Sequence, residues 1–202
     1  MYDGNTLEMM LFCLWIYLPG FLVNTFAMMW GKWLPKTGYG PWPIDGGRMH
    51  KDGNRILGDG KTWNGLIGGS LTSGLLCFLM TMIPASWIFL SPTDNATGWA
   101  ASAFVLGSFL GFTSLVGDST GSYFKRRKGM KREGEISSKA PLLDTLPFAI
   151  SVFVFGQIFL TGSDHGNRDL LPPMGLLIIL TPLLHRSFNL IGYKIGWKDV
   201  PY

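Results

Sequence analysis

The sequence predicts an all-α polytopic membrane helix bundle with five transmembrane helices and two functional cytoplasmic loops. The composition supports this, because 47% hydrophobic and 15% charged residues and a mean hydropathy of +0.24 are unusual for a soluble domain. Apolar stretches of about 20 residues can cross the roughly 30 Å hydrocarbon core as helices. Lys and Arg concentrate in alternate connections between those stretches. No internal repeat or boundary divides the chain, so residues 1–202 are predicted to form one domain.

Five apolar stretches are long enough to span a bilayer as helices. They are residues 7–30, 65–90, 99–117, 141–161 and 170–191. The first stretch is expected to remain as a span rather than to be cleaved as a signal peptide. It lacks a basic preceding segment and is longer than the usual apolar region of a signal peptide.

The cations orient these predicted spans, because Lys and Arg in short loops are retained on the cytoplasmic side. They are dense in residues 32–61 and 125–139, absent from residues 91–98 and limited to Arg168 in residues 162–169. Both dense loops are therefore predicted to face the cytoplasm. The N-terminus is therefore predicted to lie outside the cell membrane and the C-terminus in the cytoplasm. Cations at span ends suit membrane lipids as partners, and no nucleic-acid partner is expected.

The first cytoplasmic loop ends in a glycine-rich run, residues 56–65, that leads directly into the second span. Glycines let the backbone approach an anion closely, a carboxylate can bind a divalent cation, and an ammonium and a hydroxyl can contact phosphate oxygens. The residues of these types are Gly58, Gly60, Asp59, Lys61 and Thr62. A P-loop is excluded because Arg55 occupies the position of its first glycine. The run indicates a phosphate site, and the alternative is a basic connector that binds anionic headgroups.

The second cytoplasmic loop begins with an acid and continues with hydroxyl and cationic residues. If the helix of the third span continues past Gly117, then Asp118, Ser122 and Lys125 or Arg126 share one helical face through three- and four-residue spacings. The basic cluster that follows is also typical of a plain membrane anchor.

Asp144 lies at the start of an apolar run, where a carboxylate at the centre of a spanning helix would cost about 2.5 to 3.5 kcal/mol. It is either a structural acid that reaches the interface or a cation ligand. Mg²⁺ favours carboxylates together with substrate phosphates, and Asp118 and Asp144 are predicted at neighbouring cytoplasmic span ends, where both could reach one ion. Asn24, within the first span, is either an interhelical hydrogen-bonding residue or a wall of a lipid-phosphate site.

The order of these motifs resembles the archaeal CDP-archaeol synthases, a branch of the membrane CTP:phosphatidate cytidylyltransferases. The resemblance covers nearly the whole chain, and its most specific parts are the Gly-Asp-Gly-Lys-Thr-Trp and Ser-x-x-Lys-Arg runs. The matching stretches are Leu18-Pro19-Gly20 with Asn24, Pro43-Ile44-Asp45, Arg55 to Trp63, Gly117-Asp118, Ser122 with Lys125-Arg126-Arg127, Pro141 to Asp144, Leu180 to His185 and Asp199-Val200-Pro201.

The resemblance implies transfer of CMP from CTP to the phosphate of an isoprenoid ether glycerol lipid, with release of pyrophosphate and with Mg²⁺ as the cofactor. It implies catalytic roles for Asp118, Lys125 and Asp144, with the two aspartates as metal ligands. The implied nucleotide-binding residues are Gly58, Asp59, Gly60, Lys61, Thr62, Ser122 and Arg126. Asn24 and Arg55 are the candidates for the lipid phosphate.

The chain departs from the family pattern at two positions. Pro147 stands where the family usually repeats an aspartate three residues after Asp144, and Asn64 stands where arginine is common. Loss of a second carboxylate on that helical face is expected to loosen metal binding. Two other functions therefore stay open: a CTP-dependent polyprenol or phytol kinase, and a catalytically weakened lipid-binding scaffold.

Overall fold

Five α-helices form the bundle in the computed structural model, which describes residues 6–83, 96–130, 140–159 and 171–194. The helices are α1 Thr6–Trp33, α2 Trp63–Met80, α3 Ala96–Arg127, α4 Pro141–Phe159 and α5 Leu171–Lys194. A short 3₁₀ helix, Leu34–Thr37, continues from α1. Four segments in α1 to α4 are long and apolar enough to cross a membrane, while the apolar part of α5, Leu171–Leu184, is shorter. The predicted all-α membrane helix bundle is confirmed, while the count of five membrane spans stays a prediction.

The predicted span bounds differ from the helices by up to about three residues at most ends, and by more at two. The second span was expected to reach residue 90, but α2 ends at Met80; residues 84–90 lie outside the described part of the chain. The third span was expected to end at Gly117, but α3 continues to Arg127. The segment that begins the predicted second loop is therefore helical, which meets the condition for Asp118 and Ser122 to share a face.

The polar end of α3 is stable as a helix for local reasons. The hydroxyls of Ser119 and Thr120 donate to the carbonyls one turn earlier, at 2.8 and 2.9 Å, so these polar residues expose little unmet hydrogen-bonding capacity. Lys125, Arg126 and Arg127 occupy the last turn, where cations interact favourably with the helix dipole. A polar, cationic helix end can thus extend from the membrane into the aqueous phase.

Small residues let the helices approach closely, as is typical of membrane bundles. A Cβ built on Gly74 of α2 would lie 2.5 Å from the Phe104 carbonyl oxygen of α3. A Cβ on Gly121 of α3 would lie 2.3 Å from the Leu143 carbonyl oxygen of α4. α3 therefore packs between α2 and α4, and its C-terminal third lies directly beside the first turn of α4.

Residues 38–62 form a compact loop between α1 and α2. Isolated antiparallel bridges join Pro43 to Thr62 and Met49 to Arg55. Thr62 then caps α2, because its Oγ1 accepts a hydrogen bond from the Gly65 amide at 3.1 Å. The cap fixes the point at which the glycine-rich run becomes helix.

Candidate active site

A polar cavity of about 550 Å³ lies at one end of the bundle, where the loop before α2, the C-terminal part of α3 and the first turn of α4 meet. Its wall includes most of the residues that the sequence singled out. They are Asn24 of α1, Asp59, Gly60, Lys61 and Thr62 of the loop, Asp118, Ser122, Lys125 and Arg126 of α3, and Asp144 of α4. Segments far apart in the sequence thus converge on one space.

The α3 residues reach the cavity together because they share one helical face. Asp118 lies four residues before Ser122, and Lys125 and Arg126 lie three and four residues after it, as predicted for a continuous helix. Ser122 and Arg126 are buried. The Arg126 guanidinium donates to the Met130 carbonyl, which ties the end of α3 to the residues that follow it.

Two ion pairs connect the acids and the lysines of the cavity. Lys61 on the loop pairs with Asp118 on α3, and Lys125 on α3 pairs with Asp144 on α4. All four side chains are at most 22% exposed. Because charges removed from water require partners, each carboxylate is neutralised by a cation that could otherwise contact a phosphate.

Asp45 organises the glycine-rich loop, a role that motif reasoning did not assign to it. Its fully buried carboxylate accepts hydrogen bonds from the amides of Gly47, Leu57 and Gly58 at 3.0 to 3.1 Å. It also accepts two from the Arg55 guanidinium, at 2.6 and 3.2 Å. Burial alone would raise the pKa of the Asp45 carboxyl, but these hydrogen bonds from Arg55, Gly58, Leu57 and Gly47 outweigh it and hold the pKa well below its usual range.

The hydrogen bond to Gly58 shows how Asp45 acts on the candidate site. Gly58 adopts φ +93°, which favours glycine, and it lies beside the Arg126 side chain. Gly58 is not part of the cavity wall as such, but it begins the turn that presents Asp59, Gly60 and Lys61. The sequence signal for this role was an isolated acid between Ile44 and a Gly-Gly pair.

Arg55 occupies a different position from its predicted one. Its guanidinium contacts Asp45 and also Asp59, at 2.7 Å, and Arg55 is not among the residues that line the cavity. Its assignment to the lipid phosphate stays a prediction that these contacts do not support. Asn24, by contrast, lines the cavity from α1.

Arg127 connects the loop to the end of α3. The sequence placed it in the basic cluster and in the Lys-Arg-Arg run of the family pattern, without a specific contact. Its guanidinium lies 2.7 Å from an Asp52 carboxylate oxygen and donates to the Arg55 carbonyl at 2.7 Å. The same group lies 5.2 Å from the centroid of the Tyr123 ring. The signal that could have identified this contact was an arginine one position beyond the Lys-Arg pair of the motif.

The two departures from the family pattern have structural roles of their own. The buried Asn64 donates to the Tyr39 carbonyl at 3.1 Å and accepts from the Trp42 amide at 3.4 Å, so it supports the loop. Pro147 packs near Gly121 of α3. Neither residue belongs to the cavity wall.

The donor set fits a magnesium ion that is completed by its substrate. In the described ranges, no group of three or more His, Cys, Asp or Glu side chains is placed to hold a metal ion. Three carboxylates, Asp59, Asp118 and Asp144, line the cavity, and Asp59 is paired with Arg55. Mg²⁺ is usually bound by one or two carboxylates together with substrate phosphates and water. Asp118 and Asp144 meet that requirement.

Known proteins similar to this chain match it over most of its length. A family model described as CarS-like, CDP-archaeol synthase, matches residues 6–202. The CDP-archaeol synthase of Thermococcus gammatolerans is 37% identical over 98% of this chain and 99% of its own length. That of Picrophilus torridus is 38% identical over 96% and 97%. A solved structure, described as an intramembrane enzyme for archaeal membrane lipid biosynthesis, matches with a TM-score of 0.53 at 26% identity, over 83% of this chain and 91% of the other.

Proposed function

The chain belongs to the CDP-archaeol synthase family, and from this premise we propose that it transfers CMP from CTP to the phosphate of an isoprenoid ether glycerol lipid. The products are a CDP-activated lipid and pyrophosphate. It is a membrane nucleotidyltransferase of lipid biosynthesis. The observation that carries the proposed reaction is the cavity in which Lys61 and Thr62 face Asp118 and Asp144 at the polar end of a membrane bundle.

The proposed topology has five membrane-spanning helices, with the N-terminus outside and the cavity on the cytoplasmic side. α5 has 24 residues, and at 1.5 Å per residue it is about 36 Å long, enough to span the hydrocarbon core. The cavity end also carries the cations at the end of α3. This arrangement gives CTP access from the cytoplasm and the lipid access from the bilayer.

The proposed reaction is an in-line displacement at the α-phosphorus of CTP. An oxygen of the lipid phosphate forms a bond to the α-phosphorus, the bond to the oxygen that bridges the α- and β-phosphorus breaks, and pyrophosphate leaves with that electron pair. A dianionic phosphate needs no general base. The main requirements are positioning and charge neutralisation. Lys61 from the loop and Lys125 and Arg126 from α3, which line the same cavity, are proposed to provide the charge.

Asp118 and Asp144 are the residues that would hold Mg²⁺. The ion, when bound, neutralises charge on the phosphates and acts as a Lewis acid. Within the Gly58–Lys61 turn, the Gly58 amide donates to Asp45 and the Lys61 amide donates to the Gly58 carbonyl. The amides of Asp59 and Gly60 are therefore the ones proposed to contact phosphate oxygens. Asn24, facing the cavity from α1, is proposed to hydrogen-bond the lipid phosphate.

The test is the fate of each phosphorus atom of CTP. Purified protein in detergent is supplied with Mg²⁺, an isoprenoid glycerol phosphate and CTP labelled at either the α- or the γ-phosphorus. The proposed transfer moves only the α-label into the lipid and releases pyrophosphate. A polyprenol or phytol kinase would instead move the γ-label into a lipid alcohol and release CDP, and that outcome would overturn the proposal.

A matched pair of variants links turnover to the cavity. Asp144→Asn keeps the size of the side chain but removes its charge, so we expect the rate to fall by two or more orders of magnitude, as for loss of a metal ligand. Lys36→Met removes a charge from an exposed residue outside the cavity and is expected to retain activity. Equal effects in both variants would contradict the assignment of the site.

A further inference from the structure

A second cavity, of about 470 Å³, lies against the polar cavity and shares part of its wall. Four residues line both spaces: Ile44, Leu57, Leu66 and Ser119. On its other side the second cavity is lined by α3 through Val116, Thr120, Tyr123 and Phe124. We call this space the α2–α3 groove. Its volume falls within the roughly 300 to 1,000 Å³ that is typical of ligand pockets.

The surface of the α2–α3 groove is apolar, although two of its residues carry hydroxyl groups. Ser119 donates to the Leu115 carbonyl at 2.8 Å, and Thr120 donates to the Val116 carbonyl at 2.9 Å. Both hydroxyls thus have hydrogen-bond partners in the backbone of their own helix. The groove therefore offers contact to hydrocarbon, whereas the adjoining cavity offers charges.

The groove also continues along the membrane-facing surface of α3. Val116 is exposed, and it shares a helical face with Phe112 and Phe109, which are exposed as well. On the α2 side, the exposed Ile67 follows Leu66. An apolar track thus leads from the lipid-facing surface to the wall that separates the groove from Asp118 and Lys125.

We propose that the α2–α3 groove holds an isoprenoid chain of the lipid substrate while its phosphate lies in the polar cavity. The proposal rests on the proposed function and adds the side from which the lipid reaches the site. Ser119 lines both spaces, and Asp118 and Asp144 line the polar cavity, so a lipid in the groove can extend its phosphate past this wall to the proposed metal ligands. The polar cavity thus suits the phosphate of the lipid, and the adjoining apolar groove suits its isoprenoid chain.

The first experiment maps the tail without requiring turnover. An isoprenoid glycerol phosphate with a photoreactive diazirine in the first half of one chain is irradiated with the wild-type protein in detergent, without CTP and with metal chelated. The expected adducts fall within residues 112–124 and 66–67. Adducts confined to α1, α4 or α5 would overturn the proposal, whether or not the protein proves to be a cytidylyltransferase.

The second experiment fills the groove with a side chain and measures preference for chain length. Val116→Trp places an indole in the groove, while Val105→Trp places one on the same face of α3 at an exposed site outside it. In Val116→Trp we expect the ratio of kcat/KM for long-chain over short-chain lipid phosphate to fall about tenfold, equivalent to 1.4 kcal/mol. The KM for CTP should change much less.

The two tryptophan variants also distinguish the effect of filling the groove from the effect of adding an indole elsewhere on α3. Val105→Trp is expected to keep the wild-type preference for chain length and the wild-type adducts. An unchanged preference in Val116→Trp, or an equal loss in both variants, would overturn the assignment of the groove. If the wild type transfers no CMP at all, the proposed function fails, while the photochemical map still decides where the chain binds.

Discussion

Lys61 and Asp118 lie 57 positions apart in the sequence, and their side chains form an ion pair across the cavity. Lys125 and Asp144 form a second pair of the same kind. Each proposed metal ligand is therefore already neutralised by a lysine that is proposed to contact phosphate. We therefore expect metal and nucleotide to bind together, since Asp118 and Asp144 would hold the metal only when Lys61 and Lys125 are released to the phosphates.

The first prediction concerns metal binding without nucleotide. In Lys61→Met, Asp118 loses its competing cation, so we expect the affinity for Mn²⁺ alone to rise about tenfold, equivalent to 1.4 kcal/mol, and the affinity for CTP to fall. Electron paramagnetic resonance of free Mn²⁺ measures the first, and equilibrium dialysis measures the second. Lys36→Met is the control for loss of an exposed charge. Unchanged Mn²⁺ affinity in Lys61→Met would show that the pair does not compete with the metal.

The second prediction concerns the close approach of α3 and α4. A Cβ at Gly121 would meet the Leu143 carbonyl at 2.3 Å, so Gly121→Ala must move the first turn of α4, which carries Asp144. Overpacking of this kind costs about 1 to 3 kcal/mol, and we expect a lower thermal midpoint and reduced activity. Gly175→Ala in α5 is the control, because nothing lies within 4 Å of its added Cβ. Equal midpoints in the two variants would contradict the packing shown here.

The third prediction concerns Asp45 and pH. Its pKa is depressed in the folded protein, so its stabilisation is present above the ordinary value of about 3.9 and is lost as the pH falls below that value towards the folded pKa. Between pH 5 and 9, as an approximate range, this group should add no pH dependence. Asp45→Asn removes the charge that Arg55 contacts, a loss of about 3 kcal/mol for a broken buried pair.

Hydrogen exchange tests the Asp45 prediction directly. The amides of Leu57 and Gly58 donate to this carboxylate, and they should exchange faster at neutral pH in Asp45→Asn than in the wild type. The Ile44 amide, which donates to the Lys61 carbonyl at 2.8 Å, reports on the loop as a whole. If Leu57 and Gly58 keep their protection, then Asp45 does not hold the turn.

Hydropathy and residue spacing were sufficient to predict the bundle and much of the cavity wall. Apolar length located each helix approximately, and three- and four-residue spacing correctly placed Asp118, Ser122 and Lys125 on one face of α3. The end of α3 was missed because hydropathy falls at Asp118, whereas helix formation continues through the hydroxyl-to-carbonyl bonds and the cations of the last turn.

The roles of other residues could not be predicted from the sequence, because these roles depend on tertiary contacts. Arg55 lies in the loop before α2, and Arg127 lies in the last turn of α3. Composition cannot show that Arg55 contacts Asp45 within its own loop while Arg127 contacts Asp52 of that loop from α3. Likewise, a lone Asp45 in a loop gives no signal that five hydrogen bonds converge on it. These assignments depend on how the loop folds over α3, which local sequence does not specify.

The fourth prediction concerns the attachment of the loop by Arg127. Arg127→Gln loses the contacts to Asp52, the Arg55 carbonyl and Tyr123, so we expect the Gly58–Lys61 turn to be less ordered and the KM for CTP to rise several-fold. Lys128→Gln removes the same charge from the next, exposed position and is expected to behave like the wild type. Equal KM values in the two variants would mean that net charge, rather than the contact, matters.

The fifth prediction concerns Pro147, which stands where an aspartate is usual in the family. The position lies three residues after Asp144 on the same side of α4, and its proline ring packs near Gly121. An aspartate there would add a carboxylate beside the proposed metal ligands. We therefore expect Pro147→Asp to lower the Mg²⁺ concentration for half-maximal turnover several-fold.

Pro147→Ala separates the carboxylate from the loss of the proline. Both variants restore a backbone N–H that can donate to the Leu143 carbonyl, which should stabilise α4, but only the aspartate adds a ligand. A magnesium titration of turnover, run beside a thermal melt of each variant, distinguishes the two effects. If both variants shift the magnesium requirement equally, the change comes from the helix backbone. If neither variant nor the wild type incorporates the α-label, the proposed cytidylyltransferase activity is contradicted. That result would favour the alternative of a lipid-binding scaffold.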